Sequence, residues 1–166
     1  MKYLNDVEGV FFCAGARNHL LLTLLQDFPI YMEIDERIAS FKALGLGKAQ
    51  NRLSLVCTTS GTAVSECLPA MIEAFYSEAP LLLISADRPL NLRLTGAPQT
   101  IDHEVITRGF RKDYLDIDFN DFINLDFTTL SYPAHVNVRI TTPDEKEIGT
   151  KPVESENFQT FMNQIK

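Results

Sequence analysis

The chain has 166 residues, of which 45% are hydrophobic and 22% charged, as is typical of one globular domain with a substantial core. Its net charge of −7 and its scattered Lys and Arg residues argue against binding to nucleic acid, which requires a basic surface. The apolar run at 80–86 is too short to span a membrane, and the acids of the N-terminal MKYLNDVEG are not typical of a signal peptide, so we expect a cytoplasmic protein.

The first half of the chain alternates between short apolar runs and amphipathic segments. Strands are predicted at 10–13, 30–34, 53–57 and 80–85, and helices at 18–27, 37–50 and 62–76. This order predicts an α/β fold of three layers, with a mainly parallel central sheet between helices. Right-handed crossovers then bring the loops that follow the strands to one edge of the sheet. These loops are residues 14–17, 35–37, 58–62 and 87–88.

The second half is less regular. A short helix is predicted at 101–107, a strand at 110–117, one helix in the acidic stretch 116–126 and a last strand at 134–140. We therefore expect one α/β domain over residues 1–142. Residues 143–166 are polar with two prolines, and they are predicted to form a linker or tail with a short helix near its end.

The cysteines and histidines do not indicate a metal site. Three cysteines without C-x-x-C spacing predict neither a disulfide framework nor a zinc site, and Cys13 and Cys57 lie in apolar runs typical of a core. His19, His103 and His135 lack the spacing of metal ligands, and His135 is expected to pack in the last strand.

Glu36 lies in a D-E-R turn where a strand ends and a helix begins, which is the usual place for a ligand in an open α/β sheet. The neighbouring Ile34, Ile38 and Phe41 would favour the protonated, hydrogen-bond-donating form of this acid by excluding water. The alternative is that Glu36 only stabilises the helix dipole from the first turn.

Polar residues in the other loops predict a site for a polar or anionic ligand. The turn at 58–62 offers hydroxyls and backbone N–H groups at a helix start, although Ser60 or Thr62 would serve equally as a helix cap. Arg17 and Arg88 follow two strands at the same edge and would suit a substrate with carboxylates. An ion pair between Asp87 and Arg88 that stiffens the loop is the alternative. The turn at 58–62 is not a Walker sequence, so no nucleotide phosphate loop is predicted.

Three segments at this spacing resemble the N-terminal pyrimidine-binding (PYR) domain of thiamine-diphosphate enzymes. They are IDERIASFKALGLGKA, TTSGTAVSECLPAMIEAFYSEAPLLLISADRP and GAPQTIDH. The S-G-T-A helix start and the A-D-R-P loop recur across these enzymes. The D-E-R turn and G-A-x-Q-x-I-D resemble more narrowly the SEPHCHC synthase family of menaquinone biosynthesis, which joins decarboxylated 2-oxoglutarate to isochorismate. The similarity covers about residues 9–117, and HVNVRI resembles the closing strand of the domain.

The resemblance implies a role for each candidate residue. Glu36 matches the catalytic glutamate that hydrogen-bonds the aminopyrimidine ring and so activates the cofactor. The cofactor-binding turn that lines the pyrimidine pocket consists of Thr59, Ser60, Gly61 and Thr62. The residues that match substrate-binding positions are Arg17, Arg88 and Gln99. No residue of this chain is predicted to bind metal.

Two positions depart from the family pattern. The family loop P-G-S-R-S reads A-G-A-R-N here, so a serine hydroxyl is missing at Ala16. The usual G-A-N-Q reads G-A-P-Q, so Pro98 removes an amide side chain and a backbone donor. We therefore expect the substrate contacts to differ from the family more than the cofactor contacts.

The chain is short for such an enzyme, and the family's G-D-G motif for diphosphate and Mg²⁺ does not occur in it. The resemblance therefore implies an N-terminal domain with half an active site, inactive alone, whose thiamine diphosphate and Mg²⁺ require a second domain of a partner subunit in a homodimer or homotetramer. Two alternatives stay open. One is a self-contained module that binds small carboxylates, and the other is a subunit of a split thiamine-diphosphate enzyme with a different acceptor.

Overall fold

The computed structural model describes residues 7–93 and 97–142. The strands are β1 (Val7–Cys13), β2 (Ile30–Glu33), β3 (Leu53–Thr58), β4 (Leu81–Asp87), β5 (Asp113–Asp118) and β6 (Ala134–Arg139). The α-helices are α1 (His19–Leu25), α2 (Glu36–Gln50), α3 (Thr62–Glu66), α4 (Leu68–Ser77), α5 (His103–Thr107) and α6 (Phe119–Ile123). Short 3₁₀ turns occur at Leu90–Leu92, Arg108–Phe110 and Phe127–Thr129.

The six strands form one sheet in the order β2-β1-β3-β4-β6-β5, and every neighbouring pair is parallel. Since all strands run the same way, their carboxyl ends lie at one edge, here called the carboxyl edge. The predicted α/β fold with a parallel central sheet is confirmed, and so is the convergence of the four loops that follow β1 to β4.

Each face of the sheet carries its own core, because alternate side chains of every strand point to opposite faces. On one face, Phe12, Leu55 and Ile84 pack with Leu21 and Leu25 of α1 and Phe122 of α6. The residues that form the core of the other face include Phe11, Val56, Leu83, Ala39 and Ala43 of α2 and Met71 of α4. Small residues on α2 let this helix lie close to the sheet.

Two predicted elements differ from the structure. The helix expected at 62–76 is divided at Cys67 into α3 and α4, since Pro69 in the first turn of α4 has no backbone N–H for a continuous helix. The helix expected at 116–126 is shorter, because β5 continues through Asp118 in register with Arg139 of β6 and leaves only Phe119–Ile123 helical.

The predicted domain boundary near residue 142 and the predicted tail at 143–166 stay predictions, because residues 143–166 lie outside the described part of the chain. Among the described residues, none of the helices has the length and apolar character needed to cross a membrane.

Candidate active site at the carboxyl edge of the sheet

Glu36 is the first residue of α2, directly beyond the carboxyl end of β2. The side chain of Asp35 caps the helix by accepting a hydrogen bond from the backbone N–H of Ile38 at 3.1 Å. Glu36 is therefore free of the capping role, and its Oε1 accepts a bond from the buried Thr58 hydroxyl at 3.4 Å. The carboxyl group thus faces the carboxyl end of β3 and is partly buried.

The apolar neighbours of Glu36 do not form the water-excluding environment that we expected. Ile34 is 99% exposed, Ile38 46% and Phe41 45%. They belong to an exposed apolar surface at the β2 edge of the sheet, here called the open flank, which consists of Tyr31, Met32, Ile34, Ile38 and Phe41. Because α2 buries Ala39 and Ala43 against the sheet, its larger apolar side chains at 38 and 41 remain on the outer face.

Two buried thiols lie close to Glu36. The Cys67 Sγ contacts the backbone oxygen of Glu36 at 3.9 Å. Burial, with smaller contributions from Glu36 and Glu33, raises the pKa of Cys13 to about 12, and burial likewise raises the pKa of Cys67. Both thiols therefore stay protonated at neutral pH, so they act as small core residues and not as nucleophiles.

The turn at 58–62 is held from inside the protein. Ser60 is 2% exposed, and its Oγ accepts a bond from Arg88 Nη1 at 3.4 Å. Gly61 has φ +79°, and a Cβ added there would lie 2.6 Å from the Cβ of Gln99, so only glycine fits this close approach. Thr59 is partly exposed and Thr62 is exposed, so these two residues face the open side of the turn.

The structure brings the predicted substrate-binding residues to the same edge. Arg88 Nη1 also donates to the backbone oxygen of Gln99 at 3.5 Å, and Gln99 is exposed with φ +58°. Arg17 donates to the backbone oxygen of Ile140 at 2.7 Å. Since the N–H of Ile140 in turn bonds the backbone oxygen of Asp87 at 2.9 Å, Arg17 lies beside the segment that carries Arg88.

Asp87 pairs with a residue that the sequence did not single out. Its Oδ2 lies 3.0 Å from Nε of Arg93, and its Oδ1 accepts the backbone N–H of Arg88 at 2.7 Å. Arg93 also donates to both oxygens of Asp116, at 2.6 and 2.9 Å. Asp87 thus fixes the start of the Arg88 loop through its backbone.

A buried polar cluster beneath the turn was also missed. It consists of Ser85, Asp87, His103, Thr107, His135 and Asn137, all at most 2% exposed. His135 packs in the core strand β6 as predicted. The polar Asn137 within the apolar strand at 134–140 was the available signal, because a buried amide requires hydrogen-bond partners. Those partners come from residues 21–52 positions away, which spacing does not reveal.

The site as described supplies one carboxyl group, several hydroxyls and two guanidinium groups. Within residues 7–93 and 97–142, no group of three His, Cys, Asp or Glu side chains is arranged to hold a metal ion. The donors at this edge therefore suit an organic ligand with a polar ring and a substrate with carboxylates.

Comparison with known proteins agrees with this geometry. Residues 1–106 match the family model described as thiamine pyrophosphate enzyme, N-terminal TPP binding domain. The chain is 43% identical over 140 residues to the 2-succinyl-5-enolpyruvyl-6-hydroxy-3-cyclohexene-1-carboxylate synthase of Corynebacterium diphtheriae, which covers 82% of the chain and 27% of that protein.

Synthases of the same name from two other bacteria show similar relationships. The identity is 42% over 142 residues for Bdellovibrio bacteriovorus, covering 82% of the chain and 27% of the relative. It is 35% over 169 residues for Bacillus velezensis, covering 91% of the chain and 29% of the relative. The chain thus spans little more than a quarter of the length of these curated relatives.

Proposed function

Because the chain belongs to the family of thiamine pyrophosphate enzyme N-terminal TPP binding domains, we propose that it forms the pyrimidine-side half of a SEPHCHC synthase active site. The complete enzyme decarboxylates 2-oxoglutarate and adds the remaining four-carbon unit to isochorismate. The observation that carries this proposal is the position of Glu36, whose carboxyl group lies at the carboxyl edge with a hydrogen bond from Thr58.

Glu36 is the residue that would hold the aminopyrimidine ring of thiamine diphosphate. A carboxyl group at the start of a helix, exposed on one side, can exchange a hydrogen bond with a ring nitrogen. Thr59 and Thr62 would contact the ring from the open side of the turn, while Ser60 and Gly61 keep the turn in place from behind. When bound, the cofactor supplies the carbanion chemistry of the reaction.

Arg17, Arg88 and Gln99 would position the substrates. A guanidinium group binds a carboxylate with two parallel hydrogen bonds, and both proposed substrates carry carboxylates. Arg88 contacts Ser60 and Gln99, so it connects the cofactor side of the site to the substrate side. Ala16 and Pro98 would change the contacts to the acceptor and leave the Glu36 region as in the family.

The open flank supports the proposal that the site is completed by a second polypeptide unit. Five large apolar side chains next to Glu36 are exposed, and such patches are typical of surfaces that another domain covers. In the proposed enzyme this cover is the diphosphate-binding and Mg²⁺-binding domain of a partner subunit within a cytoplasmic homodimer or homotetramer. Covering the flank would also exclude water from Glu36.

The test is the Glu36→Gln variant of the complete enzyme, assayed with thiamine diphosphate, Mg²⁺, 2-oxoglutarate and isochorismate. We expect turnover to fall about 10²–10⁴-fold, the usual contribution of a positioned acid. The matched control is Glu33→Gln, because Glu33 is only three residues away and pairs with Lys42 at 2.5 Å. This control is expected to keep turnover within about 2-fold, since the Lys42 side chain of the pair is half-exposed and such pairs contribute little.

Three outcomes would contradict the proposal. Turnover by Glu36→Gln near that of the unmodified enzyme would remove Glu36 from catalysis. Turnover of isochorismate by the 166-residue chain alone would contradict the half-site. A large thermal stabilisation of the chain by a small carboxylate, unchanged in Glu36→Gln, would indicate a self-contained binding module instead. A separate neighbouring gene with the G-D-G motif would indicate a split enzyme.

A further inference from the structure

The buried polar cluster links the turn at 58–62 to the loop that carries Arg88. The donor and the acceptor of each hydrogen bond in this link can be derived. The backbone N–H of Gly61 lies 2.9 Å from Nε2 of His103. A backbone N–H only donates, so Nε2 must carry a lone pair. The proton of the neutral ring is therefore on Nδ1, which lies 2.9 Å from Oδ1 of Asn137 and 3.5 Å from Oδ2 of Asp87.

The orientation of the Asn137 amide follows from its other neighbours. Its Oδ1 accepts from His103 Nδ1 and also from the Ser85 hydroxyl, at 2.7 Å. Its Nδ2 donates to Oδ2 of Asp87 at 3.2 Å and to Oδ1 of Asp116 at 3.4 Å. A flipped amide would place Nδ2 against the Nδ1–H of His103 and Oδ1 against the carboxylate oxygens of Asp87 and Asp116, so the stated orientation is the one that fits these neighbours.

The hydrogen bonds continue from Asn137 into the loop that begins at Arg88. Asp87 accepts from Asn137 with one carboxylate oxygen and from the backbone N–H of Arg88 with the other. A continuous chain of bonds thus runs from Gly61 through His103, Asn137 and Asp87 to Arg88. Its central members are at most 2% exposed, so water does not compete for these bonds.

We propose that His103, in its neutral Nδ1–H form, is a positioning residue that fixes the Gly61 turn relative to the Arg88 loop through Asn137 and Asp87. His103 touches neither Glu36 nor the open side of the turn in any contact described above, so it acts through Gly61. Without the acceptor at Nε2, the Gly61 N–H is buried and unpaired, and the turn with Thr59 and Thr62 would shift. Only the effect on the cofactor rests on the proposed function.

Nuclear magnetic resonance on the ¹⁵N-labelled 166-residue chain tests the bond itself. An N–H···N hydrogen bond transmits a scalar coupling between its two nitrogens, so the Gly61 amide should show a coupling to Nε2 of His103. Long-range ¹H–¹⁵N spectra should show the proton of His103 on Nδ1. An Nε2–H tautomer, or a Gly61 amide without this coupling, would overturn the proposal, whatever the outcome with Glu36→Gln.

A pair of variants of the complete enzyme tests the positioning role. His103→Gln places an acceptor near the position of Nε2 and retains the Gly61 bond, whereas His103→Asn places its amide near Nδ1 and leaves Gly61 unpaired. We expect the half-saturation concentration of thiamine diphosphate to rise at least 10-fold in His103→Asn and less than 3-fold in His103→Gln. Melting temperatures measured in parallel separate positioning from folding.

Two results would contradict the positioning role. One is an equal rise in the half-saturation concentration for both variants, and the other is a loss of melting temperature in both with unchanged half-saturation. If the Gly61 coupling is present but Glu36→Gln retains turnover, the bond between His103 and Gly61 holds and the proposed function fails. The two hypotheses are thus distinguished by separate measurements.

Discussion

The two flanks of the candidate site differ in how completely this chain pairs or covers their side chains. On the β4–β6 side, the buried polar cluster places polar groups in the interior and pairs them with one another, as Asn137 does with His103 and Asp87. On the β2 side, the open flank leaves large apolar side chains in contact with water, with Ile34 at 99% exposure. One side is therefore rigid within this chain, and the other requires an additional surface.

This difference assigns separate tasks to the two sides. A network of buried, mutually paired groups fixes geometry, because each broken bond leaves an unpaired group without access to water. An exposed apolar surface beside a carboxyl group leaves the environment of Glu36 to be set by whatever covers it. The arginine side of the site is thus positioned in advance, and the acid side is completed on assembly.

The largest expected effect is on the β4–β6 side, in the buried polar cluster. Asn137→Leu removes one hydrogen-bond partner from each of His103, Ser85 and Asp87 at once, and Asn137 is fully buried. We expect the free energy of unfolding of the 166-residue chain to fall by about 3–5 kcal/mol, since three buried polar groups each lose a hydrogen bond at a cost of about 1–3 kcal/mol. Urea unfolding measures the loss. The control Asn124→Leu, at an exposed position, should change stability by at most about 0.5 kcal/mol.

A substitution at Gly61 tests the backbone of the turn at 58–62, which the buried polar cluster holds on the β4–β6 side. Gly61→Ala combines a positive φ of +79° with a Cβ 2.6 Å from that of Gln99, so either the turn or Gln99 must move. We expect a loss of about 2–4 kcal/mol in urea unfolding. Gly45→Ala is the control, because a Cβ at this exposed helical glycine meets nothing within 4 Å. It should instead stabilise the chain by about 0.5–1 kcal/mol.

A pH dependence follows from His135. Burial, and then the neighbours His103 and Arg111, lowers the pKa of His135 well below the ordinary 6.5. The unfolded chain therefore binds a proton below about pH 6.5 that the folded chain does not, so stability falls as the pH is lowered from there toward the folded-state pKa. The slope should reach at most about 1.4 kcal/mol per pH unit.

Urea unfolding between pH 7.5 and 5.0 measures this slope, and His135→Gln should flatten it. The matched control is His19→Gln, since His19 is exposed and bonds only the backbone oxygen of Ala16 among the contacts described here. An unchanged slope in His135→Gln would mean that another group binds the proton. This window lies above the range in which Asp118 titrates, because its pairing with Arg139 lowers the pKa of that carboxyl below 3.8.

The sequence predicted the fold well where strands are buried on both faces. Leu81–Asp87 is fully buried, and its apolar run Leu81–Ile84 makes its type evident from the sequence. At the sheet edge a strand was predicted at 110–117, but a helix was predicted to begin already at 116. There β5 is only partly buried, and Asp116 and Asp118 pair with Arg93 and with Arg139 of β6. Asp116 and Asp118 were therefore interpreted as part of the polar face of the helix predicted at 116–126.

The sequence predicted those site residues whose placement depends on the local pattern alone. Glu36 follows from the end of a strand and the start of a helix, and both are visible in the local pattern. The roles of His103 and Asn137 depend on bonds across 42 and 34 positions of sequence, which only the fold brings together. The prediction that apolar neighbours exclude water from Glu36 was wrong for a related reason. Burial of Ile34, Ile38 and Phe41 needs a surface outside the described residues.

The smallest expected effect on this chain is on the open flank. Ile34→Asn replaces an apolar side chain by a polar one, and at 99% exposure it removes no packing contact within residues 7–93 and 97–142. We expect the free energy of unfolding of the 166-residue chain to change by less than about 0.5 kcal/mol. In the complete enzyme the same variant should weaken self-association, which sedimentation velocity at several protein concentrations would detect.

Unfolding of the 166-residue chain and association of the complete enzyme together test the difference between the two flanks. A loss above about 1 kcal/mol in the 166-residue chain would mean that Ile34 is covered within the chain, because solvent-exposed substitutions rarely cost so much. Undiminished association of the complete enzyme would mean that the open flank is not the surface that completes the site. Glu36 would then need another source of the low-dielectric environment, and the division of tasks between the two flanks would not hold.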